Sequence, residues 1–107
     1  MHVRMARFEG VDVSRLDEDY AQYRKMVRSN ERPEFMPEEV FQTLRDKVRR
    51  VLSLADRENG VTVDLTVTDT AEDARAVHDA LDSLTPPDGA GRRTSAETFE
   101  LILDEQL

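Results

Sequence analysis

The regular alternation of apolar and polar residues predicts a sheet of four strands. Residues 61–68, VTVDLTVT, are apolar at every second position, which is typical of a strand with one buried face. Shorter stretches of the same kind predict strands at 3–9, 48–55 and 97–103. The segment 56–60, DRENG, separates two of these strands, and its Asn-Gly pair predicts a tight hairpin because both residues tolerate positive φ.

Apolar residues spaced by three and four positions predict helices between the strands. The first helix should begin near Arg15, because Ser14 and Asp17 resemble a capping box. A short second helix should follow Pro37, ahead of the second strand. Thr70 should cap a third helix. The apolar stripes are Leu16, Tyr20, Tyr23 and Val27 in the first helix and Ala74, Val77, Leu81 and Leu84 in the third.

The order of these elements, β-α-(short α)-β-β-α-β, predicts an α+β fold of the ferredoxin-like βαββαβ type. Residues 1–107 should form a single domain. We expect a four-stranded antiparallel sheet, two helices on one of its faces, and an extra short helix before strand 2. The other face of such a sheet has no covering layer.

The residues expected on the uncovered face are a mixture of polar and apolar side chains. The polar ones form the row Thr62, Asp64, Thr66 and Thr68. Ala6, Phe8 and Ile102 should share this face, and a contiguous apolar patch usually marks an interface. Two such sheets meeting in a homodimer would leave the threonine row lining a closed cavity. The alternative is a monomer in which the row meets water.

Composition narrows the classes of function. The chain carries 23 Asp and Glu residues against 15 Lys and Arg residues, a net charge of −8, which disfavours nucleic acid and anionic membranes as partners. No cysteine is present, so disulfides, thiolate ligands and cysteine nucleophiles are excluded, and two histidines make a zinc site improbable. No segment is apolar enough for a signal peptide or a membrane span, so we expect a cytoplasmic protein.

The stretch RRVLSLADRENGVTVDLTVTDTAEDARA, residues 49–76, resembles a known superfamily. It is similar to the dimeric α/β-barrel proteins, and especially to small uncharacterised relatives of the antibiotic biosynthesis monooxygenases. The opening MHVRMARFEG and the closing RRTSAETFELILDE also fit the first and last strands of that pattern. The resemblance implies a homodimeric barrel that holds a small apolar or aromatic ligand.

The enzymes of this superfamily include cofactor-independent monooxygenases of polycyclic aromatic substrates and haem-degrading enzymes. In this superfamily, such oxygenases are recognised by inward-facing Asn, Trp and His side chains. This chain has no Trp, and its asparagines, Asn30 and Asn59, fall in a connector and a turn. Neither catalytic set transfers to this sequence, and no bound cofactor or metal is expected.

Two residues are candidates for catalysis. Asp64 becomes a possible base if it points into a closed interior, because desolvation raises the pKa of a carboxyl group; it can equally form a structural ion pair with Arg4 or Arg50. His78 follows the apolar stripe of its helix and is either a general base or a half-exposed boundary residue. The candidate ligand-binding residues are Thr62, Asp64, Thr66, Arg4 and Arg50.

Two arginine pairs, Arg49-Arg50 and Arg92-Arg93, are further candidates for binding an anion. An Arg pair on a strand sends one of its side chains to each face of the sheet.

Three function classes follow from these observations. The first is a small-molecule-binding barrel, with a cofactor-independent monooxygenase as its enzymatic form. The second is a non-enzymatic regulatory or protein-interaction domain whose dimer interior is a packed core. The third, an RNA-binding module, is disfavoured because the charge is negative and the strands lack exposed stacking aromatics.

Overall fold

The computed structural model describes residues 1–107 and contains four strands and three α-helices. The elements in chain order are β1 (His2–Glu9), a 3₁₀ turn (Val13–Arg15), α1 (Leu16–Ser29), α2 (Glu38–Lys47), β2 (Val48–Asp56), β3 (Val61–Thr68), α3 (Ala71–Asp82) and β4 (Arg92–Glu100). The strands form one antiparallel sheet in the order β2-β3-β1-β4. This α+β architecture is compatible with a ferredoxin-like fold. None of the helices has the length and apolarity that crossing a bilayer requires.

The strongest local signals of the sequence are confirmed. Strand β3 has the predicted bounds, and the extra helix α2 begins directly after Pro37. Thr70 caps α3, because its hydroxyl accepts a 3.0 Å hydrogen bond from the backbone N–H of Asp73. These signals depend only on residues that are close together in the chain, so tertiary packing has little influence on them.

The predicted capping box at the start of α1 is wrong. Ser14 lies inside the 3₁₀ turn, where its backbone N–H and its hydroxyl both donate to the Asp12 carboxylate. Helix α1 then starts after Arg15, which forms no side-chain cap hydrogen bond. Asp12 therefore caps the preceding turn, and the turn feeds directly into the helix.

The turn between β2 and β3 covers residues 57–60, one residue fewer than predicted, and its Asn-Gly pair has only one of the two positive φ values that were predicted. Only Gly60 has a positive φ there, +65°, while Asn59 does not. The Asp56 carboxylate accepts hydrogen bonds from the backbone N–H of Asn59 at 3.2 Å and from its side-chain amide at 2.7 Å. This Asx-type arrangement holds Asn59 in an ordinary backbone conformation.

The last strand begins five residues earlier than predicted, at Arg92 instead of residue 97, and ends at Glu100. Pairing with β1 sets these limits, because the β1–β4 ladder runs from Glu9 opposite Arg92 to His2 opposite Glu100. Beyond it, the Leu101 N–H donates to the Met1 carbonyl at 2.8 Å. In the single chain Phe99, Ile102 and Leu103 are exposed, with Phe99 at 47 %.

The largest correction concerns the two faces of the sheet. The row of Thr62, Asp64, Thr66 and Thr68 does share a face with Ala6, as predicted. That face, however, lies under the helices, where the three threonines and Ala6 are at most 6 % exposed. The sequence alternation shows which residues share a face, but it contains no information about which face the helices cover.

The open face of the sheet has an apolar centre. It carries Met5 and Leu54, which are 39 % and 52 % exposed, together with Leu65 at its centre. The other apolar residues on this face are Val3, Leu52, Val61, Val63, Val67 and Phe99, and the charged residues around them include Arg7, Arg50 and Glu97. A homodimer formed through this face would therefore not enclose a threonine-lined cavity.

The apolar core lies mainly among the helices. Met36, Val40 and Phe41 are buried there, and they pack against Met26, Leu44, Ala80 and Leu84 of α1, α2, α3 and the turn after it. Helix α2 thus packs chiefly on α3. Helix α3 packs directly on the polar face of the sheet against β1, β3 and β4, while α1 makes few close contacts with the sheet and leaves a cleft above it.

Candidate functional site

A cleft of about 490 Å³ lies between α1 and the polar face of the sheet. Strands β1 and β3 form its floor with Arg4, Ala6, Phe8, Thr62, Asp64 and Thr66. Its walls come from α1, the connector to α2 and the turn after α3, and include Tyr20, Tyr23, Met26, Phe35, Leu81 and Leu84. A small ligand would therefore meet apolar and aromatic walls above a floor that carries several polar groups.

Tyr20 bridges the cleft from α1 to the sheet. Its hydroxyl donates a 2.8 Å hydrogen bond to Asp64 Oδ1. Burial raises the pKa of the Tyr20 hydroxyl, and the nearby Asp64 charge raises it further. Tyr23 packs edge-on against Tyr20, with ring centroids 6.1 Å apart, and burial raises its pKa to about 12. Both phenols therefore remain protonated at neutral pH, and Tyr20 serves as a hydrogen-bond donor.

Asp64 is the carboxylate at the centre of the floor. Burial raises the pKa of this carboxyl group, while hydrogen bonds from Tyr20 and Ser53 and the charge of Arg4 act in the opposite direction. A carboxylate in this environment is a stronger base than a carboxylate in water. Asp64 thus has a donor that orients it and an environment that increases its affinity for a proton.

Arg4 is a buried cation with an incomplete set of partners. It is 4 % exposed, and its Nε donates to His78 Nδ1 at 3.2 Å. Its Nη2 is buried and has no hydrogen-bond partner. Burial lowers the pKa of Arg4, with a further contribution from the charge of Arg93. A guanidinium in this position is chemically suited to an anionic partner.

Thr66 lies beside Arg4, and its side chain is likewise buried with a polar atom that has no hydrogen-bond partner. The two residues are direct partners across the β1–β3 ladder, so their side chains are neighbours on one face. Thr66 is 6 % exposed, and its hydroxyl is buried without a hydrogen-bond partner. Thr68 differs, because its hydroxyl donates to the carbonyl of either His2 or Thr70.

The structure brings together most of the residues that the sequence singled out. Thr62, Asp64, Thr66 and Arg4 all line the cleft. Arg50 does not, because it lies opposite Val67 on the open face, where it is exposed. The expectation that Arg50 shares a face with Asp64 is therefore wrong. Arg50 alternates with Leu52 and Leu54, whereas Ser53 is the residue paired with Asp64, so the regular β2–β3 register places Arg50 on the opposite face.

His78 lies on α3 beside the cleft and does not line it. Because its Nδ1 accepts a hydrogen bond from Arg4, this geometry places the hydrogen of the neutral ring on Nε2. His78 therefore holds Arg4 in position, and its boundary location agrees with the less specific of our two interpretations.

Two residues of the cleft, Tyr20 and Tyr23, were missed as candidates, and Arg93, which was a candidate for binding an anion, also lines the cleft. Tyr20 and Tyr23 follow the apolar spacing of α1, so the sequence pattern marks them as core residues. Arg93 reaches the cleft because a β-bulge places it opposite Phe8, whereas Thr94 would lie there in a regular ladder. No local signal in the sequence marks that bulge. Arg93 is already bonded to the Asp82 carboxylate at 3.2 Å.

Comparison with known proteins adds no assignment. The chain matches no protein-family model, and it has no significant sequence match to a curated protein. No group of three or more His, Cys, Asp or Glu side chains is arranged to hold a metal ion. The geometry of the cleft is therefore the basis for any proposal about function.

Proposed function

We propose that the protein binds a small, largely apolar molecule in the cleft between α1 and the sheet. The observation that supports this most directly is a cavity of about 490 Å³ with aromatic and aliphatic walls above buried polar groups. Ligand pockets typically measure about 300–1,000 Å³ and have the same mixture of lining groups. The cleft is partly open to solvent, so a small ligand can enter it without unfolding of the chain.

An NMR titration with 2-naphthol tests this proposal. We expect the largest amide shifts at residues of the cleft such as Ala6 and Tyr20. Leu84→Trp should fill the cleft and weaken binding, while Leu54→Trp on the open face provides the matched control. Shifts confined to the open face, or no shifts at all, would contradict a ligand site in the cleft and favour the non-enzymatic interaction domain.

We infer further that the protein is a homodimer of the ferredoxin-like α/β-barrel type. Its apolar open sheet face supports this, because Met5, Leu54 and Phe99 are each 39–52 % exposed on it. Only 13 of the 107 residues are buried in the single chain, so a second copy would add apolar burial that the fold otherwise lacks.

Light scattering after size exclusion tests the dimer over a wide range of concentrations. We expect the mass of two chains for the natural sequence and of one chain for Leu65→Asp, since Leu65 lies at the centre of the open face. The exposed Arg57→Asp on the hairpin is the control and should remain dimeric. A monomer at all concentrations would exclude the barrel arrangement.

A second candidate function is proton abstraction by Asp64, as in a cofactor-independent monooxygenase. The hydrogen bond from Tyr20 and the raised pKa of Asp64 favour it. In that reaction Asp64 would take a proton from an acidic C–H of an aromatic substrate, and the carbanion would react with dioxygen. With anthrone as the probe, one dioxygen is consumed and anthraquinone and water are formed.

Oxygen uptake with anthrone distinguishes binding from catalysis. We expect uptake faster than the spontaneous rate with the natural chain and the spontaneous rate with Asp64→Asn, while Tyr23→Phe retains the acceleration. Binding without acceleration would leave the protein a ligand-binding module.

A further inference from the structure

The charge of Arg4 has no carboxylate partner within the chain. Arg4 takes part in none of the ion pairs of the chain, counting every pair with a nitrogen–oxygen distance of up to 4.0 Å. Its Nε donates to a ring nitrogen of His78. The two carboxylates whose charges act on Arg4 are bonded elsewhere, Asp82 to Arg93 and Asp64 to Tyr20. A buried charge that lacks an ion pair is strongly unfavourable, so natural proteins retain one where something compensates it.

The unpaired donor groups are concentrated on the floor of the cleft. Three buried side-chain polar atoms of the chain have no hydrogen-bond partner, and two of them are Arg4 Nη2 and Thr66 Oγ1. These two residues face each other across neighbouring strands and both line the cavity. A guanidinium N–H and a hydroxyl on cross-strand partner residues are donors of the kind that bind the two oxygens of a carboxylate.

We propose that the ligand of the cleft carries a carboxylate, which the Arg4 guanidinium and the Thr66 hydroxyl bind at its floor. This inference rests on the proposed function, since it assigns a chemical group to the molecule that occupies the cleft. The aromatic and aliphatic walls then hold the apolar body of that molecule, so the ligand class is a compact aromatic carboxylate. The net charge of −8 repels anions in general, so a preference for the carboxylate has to come from the cleft itself.

Titrations with 2-naphthoate and 2-naphthamide, followed by amide NMR shifts, test the proposal. The two probes have nearly the same shape, and only the first is charged. With the natural chain we expect naphthoate to bind at least about tenfold more tightly than naphthamide, because a charge-assisted pair replaces neutral contacts. The shifts of both probes should include the amides of Arg4 and Thr66.

Two variants assign the preference to the floor. Thr66→Val keeps the shape of the side chain, and it should weaken naphthoate binding by about three- to tenfold without changing naphthamide binding. Arg4→Gln should give the two probes equal affinities. The control is Arg50→Gln, which makes the same substitution on the open face and should leave the preference intact. If Arg4→Gln fails to fold, Thr66→Val alone decides.

Each outcome has a distinct meaning. Equal affinities of the two probes for the natural chain would overturn the carboxylate assignment and leave the cleft a neutral apolar site. A preference that survives Thr66→Val unchanged would also overturn it. Absence of cleft shifts with both probes and with 2-naphthol would overturn the proposed function itself.

Discussion

Replacing Tyr20 with phenylalanine tests the one side-chain hydrogen bond that joins α1 to the sheet across the cleft. The Tyr20 hydroxyl lies 2.8 Å from Asp64 Oδ1, and hydrogen bonds to charged groups contribute about 1.5–3 kcal/mol. Ser53 and the charge of Arg4 continue to stabilise the carboxylate in the variant, which places the expected loss near the lower end, about 1.5–2 kcal/mol. The ring is retained, so no cavity term is added.

Urea unfolding at pH 8 measures this loss. For a chain of this size, about 1.5 kcal/mol corresponds to a shift of roughly 1 M in the urea midpoint. Tyr23→Phe is the matched control, because Tyr23 packs against Tyr20 but its hydroxyl forms no side-chain hydrogen bond. It should change the free energy of unfolding by less than about 0.5 kcal/mol. Protein concentration is held constant, since unfolding of a dimer depends on it.

A double-mutant cycle with Asp64→Asn assigns the loss to the pair. Asparagine remains an acceptor but has no charge, so Tyr20→Phe should cost about 1 kcal/mol or less in that background. An equal cost in both backgrounds would show that the loss comes from packing or from the unfolded state. A cost below about 0.5 kcal/mol in the natural background would show that the hydrogen bond does not hold α1 over the cleft.

Two further predictions concern pH and backbone geometry. The pKa of Asp64 is raised above 3.8 in the folded chain. Protonated Asp64 therefore stabilises the fold below pH 3.8, and this contribution is lost as the pH rises through the folded-state pKa. Asp64→Asn should gain stability relative to the natural chain over this interval. Asp56→Asn should show the opposite trend in the same urea series, because hydrogen bonds from Asn59 lower the pKa of Asp56; parallel curves would refute both assignments. Gly91→Ala should cost about 3 kcal/mol or more, because its φ is +78° and an added Cβ would collide with a β1 carbonyl oxygen. Gly10→Ala, with φ +69° and open space around it, should cost about 1–2 kcal/mol in the same thermal unfolding assay, and equal costs would show that the collision is relieved.

The sequence by itself determined the elements whose signals are local. The alternation of VTVDLTVT set the bounds of β3 and assigned Thr62, Asp64 and Thr66 to one face. The hydroxyl of Thr70 was sufficient to predict the start of α3. The sequence also singled out four of the residues that line the cleft, because buried polar side chains on a strand are unusual enough to be noticed without a structure.

The tertiary structure decided everything that depends on which surfaces meet. Whether the threonine face lies under the helices depends on Tyr20 reaching Asp64 and on His78 holding Arg4, and these pairs are 44 and 74 residues apart in sequence. The start of β4, the bulge that turns Arg93 into the cleft and the β2–β3 register that places Arg50 on the open face all follow from strand pairing. A strand has only two faces, so one extra residue moves the side chains beyond it to the opposite face. The types of the neighbouring residues do not reveal such an irregularity.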